Sequence, residues 1–323
     1  MEERTETLNL TDFTSKINQI RTAMSSVVVG QDRVVNLLLT VILAKGHILI
    51  EGVPGIAKTL MARLISKLID ARFSRIQFTP DLMPSDILGT SVFNLKTSEF
   101  NFHRGPVFAD IVLVDEINRA PAKTQSALFE VMEERQATVD GTTYPMSPLY
   151  TILATQNPIE QEGTYKLPEA QLDRFLMKVT MQYPNLDEEV SILERHHANA
   201  RLTSLDDIQP ILTAQELLQL CDVVGKVYVD PSLLRYVAMI VHQTRTSKAV
   251  YLGASPRASV ALLQSAKAFA LLQGRDFVVP EDIKYIAPSV LQHRLILTAE
   301  AEMEGHTPVK VIHRLIEKVE VPK

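Results

Sequence analysis

The sequence predicts a parallel α/β domain followed by an all-helical domain. Three observations carry that reading. Residues 25–180 alternate short β-rich runs with helical patterns, as strands joined by crossover helices do. Three of the five candidate strands are unbroken apolar runs, expected where helices cover both faces of a sheet. From Asn185 onward the spacing is helical and the punctuation is that of helix caps. A chain of 323 residues can hold two domains, each with its own core, which we place at 1–184 and 185–323.

The elements follow in order. The opening MEERTETLNL is polar and acidic, so it does not read as a signal peptide. The most apolar window, VVNLLLTVILAKGHILI at 34–50, is broken by Asn36, Lys45, Gly46 and His47 and is too short to span a bilayer. It predicts a helix to about Ala44, a turn, and a strand over 47–51. Further strands are expected at 75–79, 111–115, 150–155 and 175–180. A helix over 121–134 would put Ala127, Leu128, Val131 and Met132 on one face.

Two segments break this rhythm. SVFNLKTSEFNFH at 91–103 alternates Phe93/Leu95 and Phe100/Phe102 around a polar middle. QATVDGTTYPM at 136–146 centres on Asp140-Gly141, a two-residue hairpin turn. Both read as hairpins projecting from the sheet layer, and the pattern alone does not separate them from ordinary surface hairpins. Further on, 202–210 reads as a linker. Asn185 with Glu188, and Thr213 with Glu216, form capping-box patterns. Asp230-Pro231 and Ser255-Pro256 are cap-plus-proline helix starts, and Gly274 ends the helix that Ser255 opens.

Composition narrows the class. Hydrophobic residues at 46% and charged residues at 22% describe an ordinary soluble globular chain. A net charge of −5 argues against an overall binder of nucleic acid or anionic membrane. The single cysteine, Cys221, rules out an internal disulfide and suits a reducing, cytoplasmic location. Adjacent His196 and His197 lack the spacing of a zinc helix and read as solvated.

Chemistry concentrates in GHILIEGVPGIAKTL, residues 46–60. A strand runs into a glycine-bearing turn that opens a helix, so backbone N–H groups can converge on an anion. The stretch approaches G-x-x-x-x-G-K-[ST], with Ala57 where the last glycine belongs. Gly52 and Gly55 lie in the loop proper, Pro54 stiffens it, and Ile56 and Leu60 flank it. Position 57 is expected at the first helical turn with ordinary negative φ, where alanine costs nothing. Lys58 would reach the β- and γ-phosphates of a nucleotide, and Thr59 would put its hydroxyl on Mg²⁺. The alternative is a glycine-rich turn ahead of a surface lysine.

IVLVDEINRAP at 111–121 ends an apolar strand on two acids, expensive without a cation or partner. At the carboxyl edge of a parallel sheet, Asp115 can hold Mg²⁺ and Glu116 can polarise an attacking water. YTILATQNP at 150–158 ends nearby, leaving Asn157 beside that water or capping a loop. Arg174, just before the last strand, belongs at the opposite sheet edge, about 17–20 Å away. It could serve a neighbouring chain's phosphates, or pair with Asp173 on the surface. Arg257 stands at a helix N-terminus, against the dipole by about 0.3–1 kcal/mol, which suggests an anion to hold. There it would bind the γ-phosphate from the helical domain.

These pieces in this order resemble the AAA+ ATPases, and specifically the MoxR family. The resemblance covers about 28–319 and rests on VVGQDRVV, GVPGIAKT, IQFTPDLMPSDILGT, FHRGPVFADIVLVDEINRAPAKTQSALFEVMEERQ, ATQNPIEQEGTYKLPEAQLDRF and GASPRA. Alanine before the lysine is common in that family. The resemblance implies that Val29, Gly30 and Gln31 contact adenine, that 91–103 is the helix-2 insert, and that 136–146 is the hairpin before sensor 1. It implies that both hairpins face a pore. Asn157 would then be sensor 1, Arg174 the arginine finger and Arg257 sensor 2, acting in cis or in trans. Members use ATP with Mg²⁺, usually form hexameric rings, and remodel protein clients, often with von Willebrand factor A-domain partners.

Other classes remain to be weighed. A nucleic-acid motor or a magnesium-chelatase-like subunit would share the architecture. The acidic net charge, and hairpins with Lys96 as their one cation, disfavour the motor. The guanine-reading N-K-x-D is absent, which disfavours a GTPase switch. Intact Lys58, Asp115 and Glu116 disfavour a structural subunit with a dead site.

Overall fold

The computed structural model describes residues 10–53, 55–158, 163–197 and 208–322. Two helices, α1 (Leu10–Val27) and α2 (Asp32–Leu43), precede β1 (Ile48–Glu51) and α3 (Lys58–Leu68). Then come β2 (Phe73–Gln77), the short α4 (Pro84–Leu88), and a hairpin of β3 (Gly89–Asn94) and β4 (Glu99–Arg104). β5 (Ile111–Asp115) leads through a 3-10 turn to α5 (Ala122–Glu134), followed by the hairpin β6 (Gln136–Val139) and β7 (Thr142–Pro145). β8 (Thr151–Gln156), α6 (Glu169–Leu172) and β9 (Met177–Thr180) complete the strand-bearing half. The rest is helical: α7 (Leu186–His197), α8 (Ala214–Val224), α9 (Pro231–Thr246), α10 (Pro256–Leu272), α11 (Pro280–Leu291), α12 (Ala299–Met303) and α13 (Pro308–Lys318).

All five expected strands form one parallel sheet in the order β2-β5-β8-β1-β9. The two-residue side-chain period sorts them onto two faces. Ile48, Ile50, Ile111, Leu113 and Leu153 join the core under α1, α2 and α3, while Leu49, Val112, Val114, Ile152 and Ala154 join the core under α5. Continuous apolar strands are therefore what both-face burial requires. β1 sits where the strand order reverses, so the loop after it opens at the switch point that ligands favour.

The helical half does not keep a core apart. Leu37, Leu38 and Val41 of α2 share one buried cluster with Leu262 and Ala266 of α10 and Ile286 and Leu291 of α11. The expectation of one core per domain is corrected here, because α2 is apolar on most of its surface and is covered from both sides. The helical half is also not wholly helical: β10 (Val250–Leu252) and β11 (Ile296–Leu297) pair antiparallel. Helix α1 had no counterpart in the sequence reading, although Phe13, Ile17, Ile20 and Met24 repeat at helical spacing and are buried.

Local signals held where short-range chemistry sets the backbone. Asp140 and Gly141 both take positive φ, 49° and 78°, as the two-residue turn demands. In the α7 capping box, Asn185 Oδ1 accepts from the Glu188 N–H at 3.0 Å and Glu188 Oε2 from the Asn185 N–H at 2.8 Å. Thr213 and Glu216 do the same at α8. Of the expected linker at 202–210, residues 202–207 lie outside the described residues, and 208–210 carry no regular structure.

Candidate functional site

The phosphate loop is shaped by its backbone. Gly55 has φ 86°, and Ala57 has φ 61° and ψ 22°, so both are left-handed. The expectation of ordinary helical φ at Ala57 is overturned: the residue is the cap before α3, not part of its first turn. Alternation of left- and right-handed residues turns successive N–H groups inward, making an anion nest at the head of α3. The loop needs this geometry even without glycine. Pro54 lies outside the described residues. Ile56 is buried in the core beneath the loop, and Leu60 is half-buried on α3.

Lys58 Nζ donates to the Gly52 carbonyl at 2.7 Å, folding the ammonium back over the nest. Across the crevice the β5 tip brings in the acids. Asp115 is buried; its Oδ1 accepts from Thr155 Oγ1 at 3.1 Å and its Oδ2 pairs with Arg75 Nε at 2.7 Å. Thr59 Oγ1 stands 3.5 Å from Asp115 Oδ2. A hydroxyl and a carboxylate are hard oxygen donors suited to Mg²⁺, which keeps several waters and phosphate oxygens as its other ligands. Among the described residues no cluster of three or more His, Cys, Asp or Glu could hold a metal by itself. The donor set therefore fits a metal that arrives with its nucleotide.

Glu116 is left-handed at φ 57°, which turns its side chain from the strand into the crevice. Its carboxylate is held by Gln77 Nε2 at 3.0 Å and Arg119 Nε at 2.9 Å, and its N–H bonds Thr155 Oγ1 at 3.0 Å. Asn157 is buried just past the end of β8. Arg75, Gln77, Arg119 and Thr155 were missed by the sequence reading. The signal was present for two of them: Arg75 and Gln77 alternate on β2, and Gln77 stands in register with Asp115.

A cavity of about 480 Å³ lies between the α1–α2 junction, the end of β9 and α11. Gly30, Gln31, Val179, Thr180, Tyr183 and Gln292 line it, whereas Val29 does not. Gly30 has φ 74°, a left-handed conformation that favours glycine, and a Cβ there would have to displace the Glu188 carboxyl, 2.5 Å away. Met181, between the cavity-lining Thr180 and Gln182, packs beside Gly52 of the phosphate loop.

Arg174 and Arg257 are not brought to this crevice. Both reach Glu133, Arg174 Nη2 to Oε2 at 2.6 Å and Arg257 Nη2 to Oε1 at 3.1 Å. They share a second pocket with Gly46, His47 and Leu176, at the amino-terminal ends of β1 and β9, opposite Lys58. Binding of this chain's own γ-phosphate by Arg257 is thus not what this arrangement offers. Asp173 pairs with buried Arg294 at 2.6 Å, so the surface pairing considered for Arg174 gives way to Glu133.

A parallel sheet with a phosphate loop at its switch point, acids on the neighbouring strand tip and a helical lid defines an AAA+ ATPase. A family model described as ATPase family associated with various cellular activities (AAA) matches residues 47–177, and one for an AAA lid domain matches 242–315. Among relatives, YeaC of Bacillus subtilis (strain 168), an uncharacterized protein, is 46% identical over 93% of this chain and 92% of its own. Chaperone MoxR1 of Mycobacterium tuberculosis is 44% identical over 92% of this chain and 80% of its own. The crystal structure of a candidate ATPase from Cytophaga hutchinsonii superposes with TM-score 0.89 at 42% identity, covering 97% of both chains. The chain belongs to the MoxR family of AAA+ ATPases. Among the described residues no helix is long and apolar enough to cross a membrane.

Proposed function

We propose that this ATPase hydrolyses Mg²⁺-ATP at sites shared between subunits of a ring and spends the energy on remodelling a protein partner. The observation that carries the reading is the separation of its parts. Lys58, Thr59, Asp115 and Glu116 surround the carboxyl edge of the sheet, while Arg174 and Arg257 wait together at the amino edge. A strand spans about 17–20 Å, so one chain's arginines complete a neighbour's site and not their own.

In this reading Val29, Gly30 and Gln31 border the adenine, and the loop from Gly52 to Leu60 cradles the phosphates. Thr59 and Asp115 would hold Mg²⁺, which neutralises charge building on the phosphates. Glu116 leaves Gln77 and Arg119 to orient the attacking water, and Asn157 contacts that water or the γ-phosphate. Both arginines act in trans. The unit boundary falls near 184/185, after β9. Hexamers, a von Willebrand factor A-domain partner and a cytoplasmic setting are the family's habits and the expectation here. The β3–β4 hairpin, with Leu95 86% and Phe100 72% exposed, is the surface offered to the client.

Mixing two inactive variants tests the shared site. Arg174→Ala protein retains an intact phosphate loop, and Lys58→Ala protein retains intact arginines. ATPase activity should return on mixing, with a maximum near equal amounts. Two proteins that stay inactive at every ratio, while each still co-assembles with wild type, would remove the trans assignment.

A further inference from the structure

The pocket holding Arg174 and Arg257 is lined by five cations and two carboxylates. Most of these charges are already committed. Lys45 pairs with Asp222, Arg135 donates to the Lys45 and Tyr150 carbonyls, and Arg294, 4% exposed, is locked on Asp173. Arg174 and Arg257 share Glu133, which gives one oxygen to each, and Arg257 has Asp173 Oδ2 as a longer second partner at 3.8 Å.

Both ends of this contact break a local rule. Glu133 lies in the last turn of α5 and Arg257 in the first turn of α10, so each charge opposes the dipole of its own helix. Neither placement favours the isolated helix, and their mutual ion pair helps to relieve both. Such paired violations mark sites kept for function. Arg174, moreover, has little left to offer outward. Its Nη1 donates to the Ala170 carbonyl, its Nη2 to Glu133, and its Nε is buried without a partner among the described residues. A phosphate that approaches Nη2 competes with Glu133 for it.

We propose that Glu133 is a positioning residue that stands in for the incoming phosphate, holding the two arginines paired until a neighbour's nucleotide displaces it. This rests on the shared-site reading above. A phosphate offers more acceptor oxygens and more charge than a carboxylate, so it wins the arginines once it is close. Asp173 cannot yield in the same way, because buried Arg294 holds it and would be left uncompensated. Glu133 is 36% exposed at its side chain and can swing to water. The exchange moves no proton and breaks no covalent bond. Its consequence is a threshold: the carboxylate competes with nucleotide, so it raises the nucleotide concentration at which subunits join.

The test is Glu133→Gln, which keeps size and removes charge. The nucleotide concentration for half-maximal assembly should fall about ten-fold, measured by analytical ultracentrifugation with a non-hydrolysable ATP analogue and Mg²⁺. The KM for ATP should fall with it, while kcat stays within about two-fold. Glu134→Gln, one residue along the same helix, should change neither. In an Arg174→Ala/Arg257→Ala background, Glu133→Gln should have no effect on assembly. A loss of kcat at unchanged KM would overturn the proposal and make Glu133 an orienting group in the transition state. Unchanged assembly and kinetics, in protein whose variants still complement on mixing, would sink it while leaving the shared site standing. Failure of complementation would instead sink the shared site itself.

Discussion

Ala57 carries the clearest lesson at the scale of single residues. A short motif reads as a string of residue types, yet the loop works through φ and ψ. An L-residue held left-handed costs about 1–2 kcal/mol, and here the strain sits at the nest that should receive phosphate. Ala57→Gly should therefore raise the unfolding free energy by about 1 kcal/mol, read by urea titration without nucleotide, with nucleotide affinity retained. No gain would show that the alanine is unstrained. The lysine and glutamate separate by role. Lys58→Ala should abolish calorimetric binding of Mg²⁺-ATP, whereas Glu116→Gln should bind normally and lose turnover by about 10²-fold or more. Near-normal turnover in Glu116→Gln would transfer water activation to another group.

Elements explain how these residues meet. The site's acids come from β5, but their orientation comes from β2, whose Arg75 and Gln77 were read merely as part of a strand. Period-2 alternation put them on one face, and only strand pairing showed which neighbour they would face. The end of α11 works similarly for the arginines. Arg294 donates to Asp173 Oδ1 and to the carbonyls of Asp173, Phe175 and Leu176, while Gln292 bonds the Lys178 carbonyl. The same helix lines the cavity beside Gly30 and Gln31 and braces the loop that carries Arg174. Arg294→Met should leave Asp173 and three carbonyls without their donor and cost about 3–5 kcal/mol by chemical denaturation. A cost under 1 kcal/mol would mean that water replaces the guanidinium there.

At the scale of the whole molecule, two buried histidines make stability depend on pH. His47 accepts from the Ile152 N–H and donates to the Met132 carbonyl, and burial, with Arg135 nearby, pushes it down to about 3. Burial likewise holds His293 well below its usual range, with Arg294 adding to the effect. The folded chain keeps both neutral, while the unfolded chain takes up protons below about pH 6.5. Their contribution is thus complete above that value and is lost progressively as pH falls below it. Each should cost about 2 kcal/mol between pH 7 and pH 5, visible as a lower urea midpoint. A midpoint unchanged over that interval would mean that both sites admit water and charge in the fold.

By itself the sequence determined the five strands, the paired turns and caps, the phosphate loop, the two acids and the family. Each of these is written in neighbours a few residues apart, where side-chain period, φ preference and hydrogen-bonding reach act directly. Tertiary structure alone decided that α2 serves both halves, that Ala57 is left-handed, and that Glu133 gathers Arg174 and Arg257 from segments far apart in the chain. Those outcomes depend on how packed elements approach one another, and a half-covered charge takes whichever partner that approach delivers.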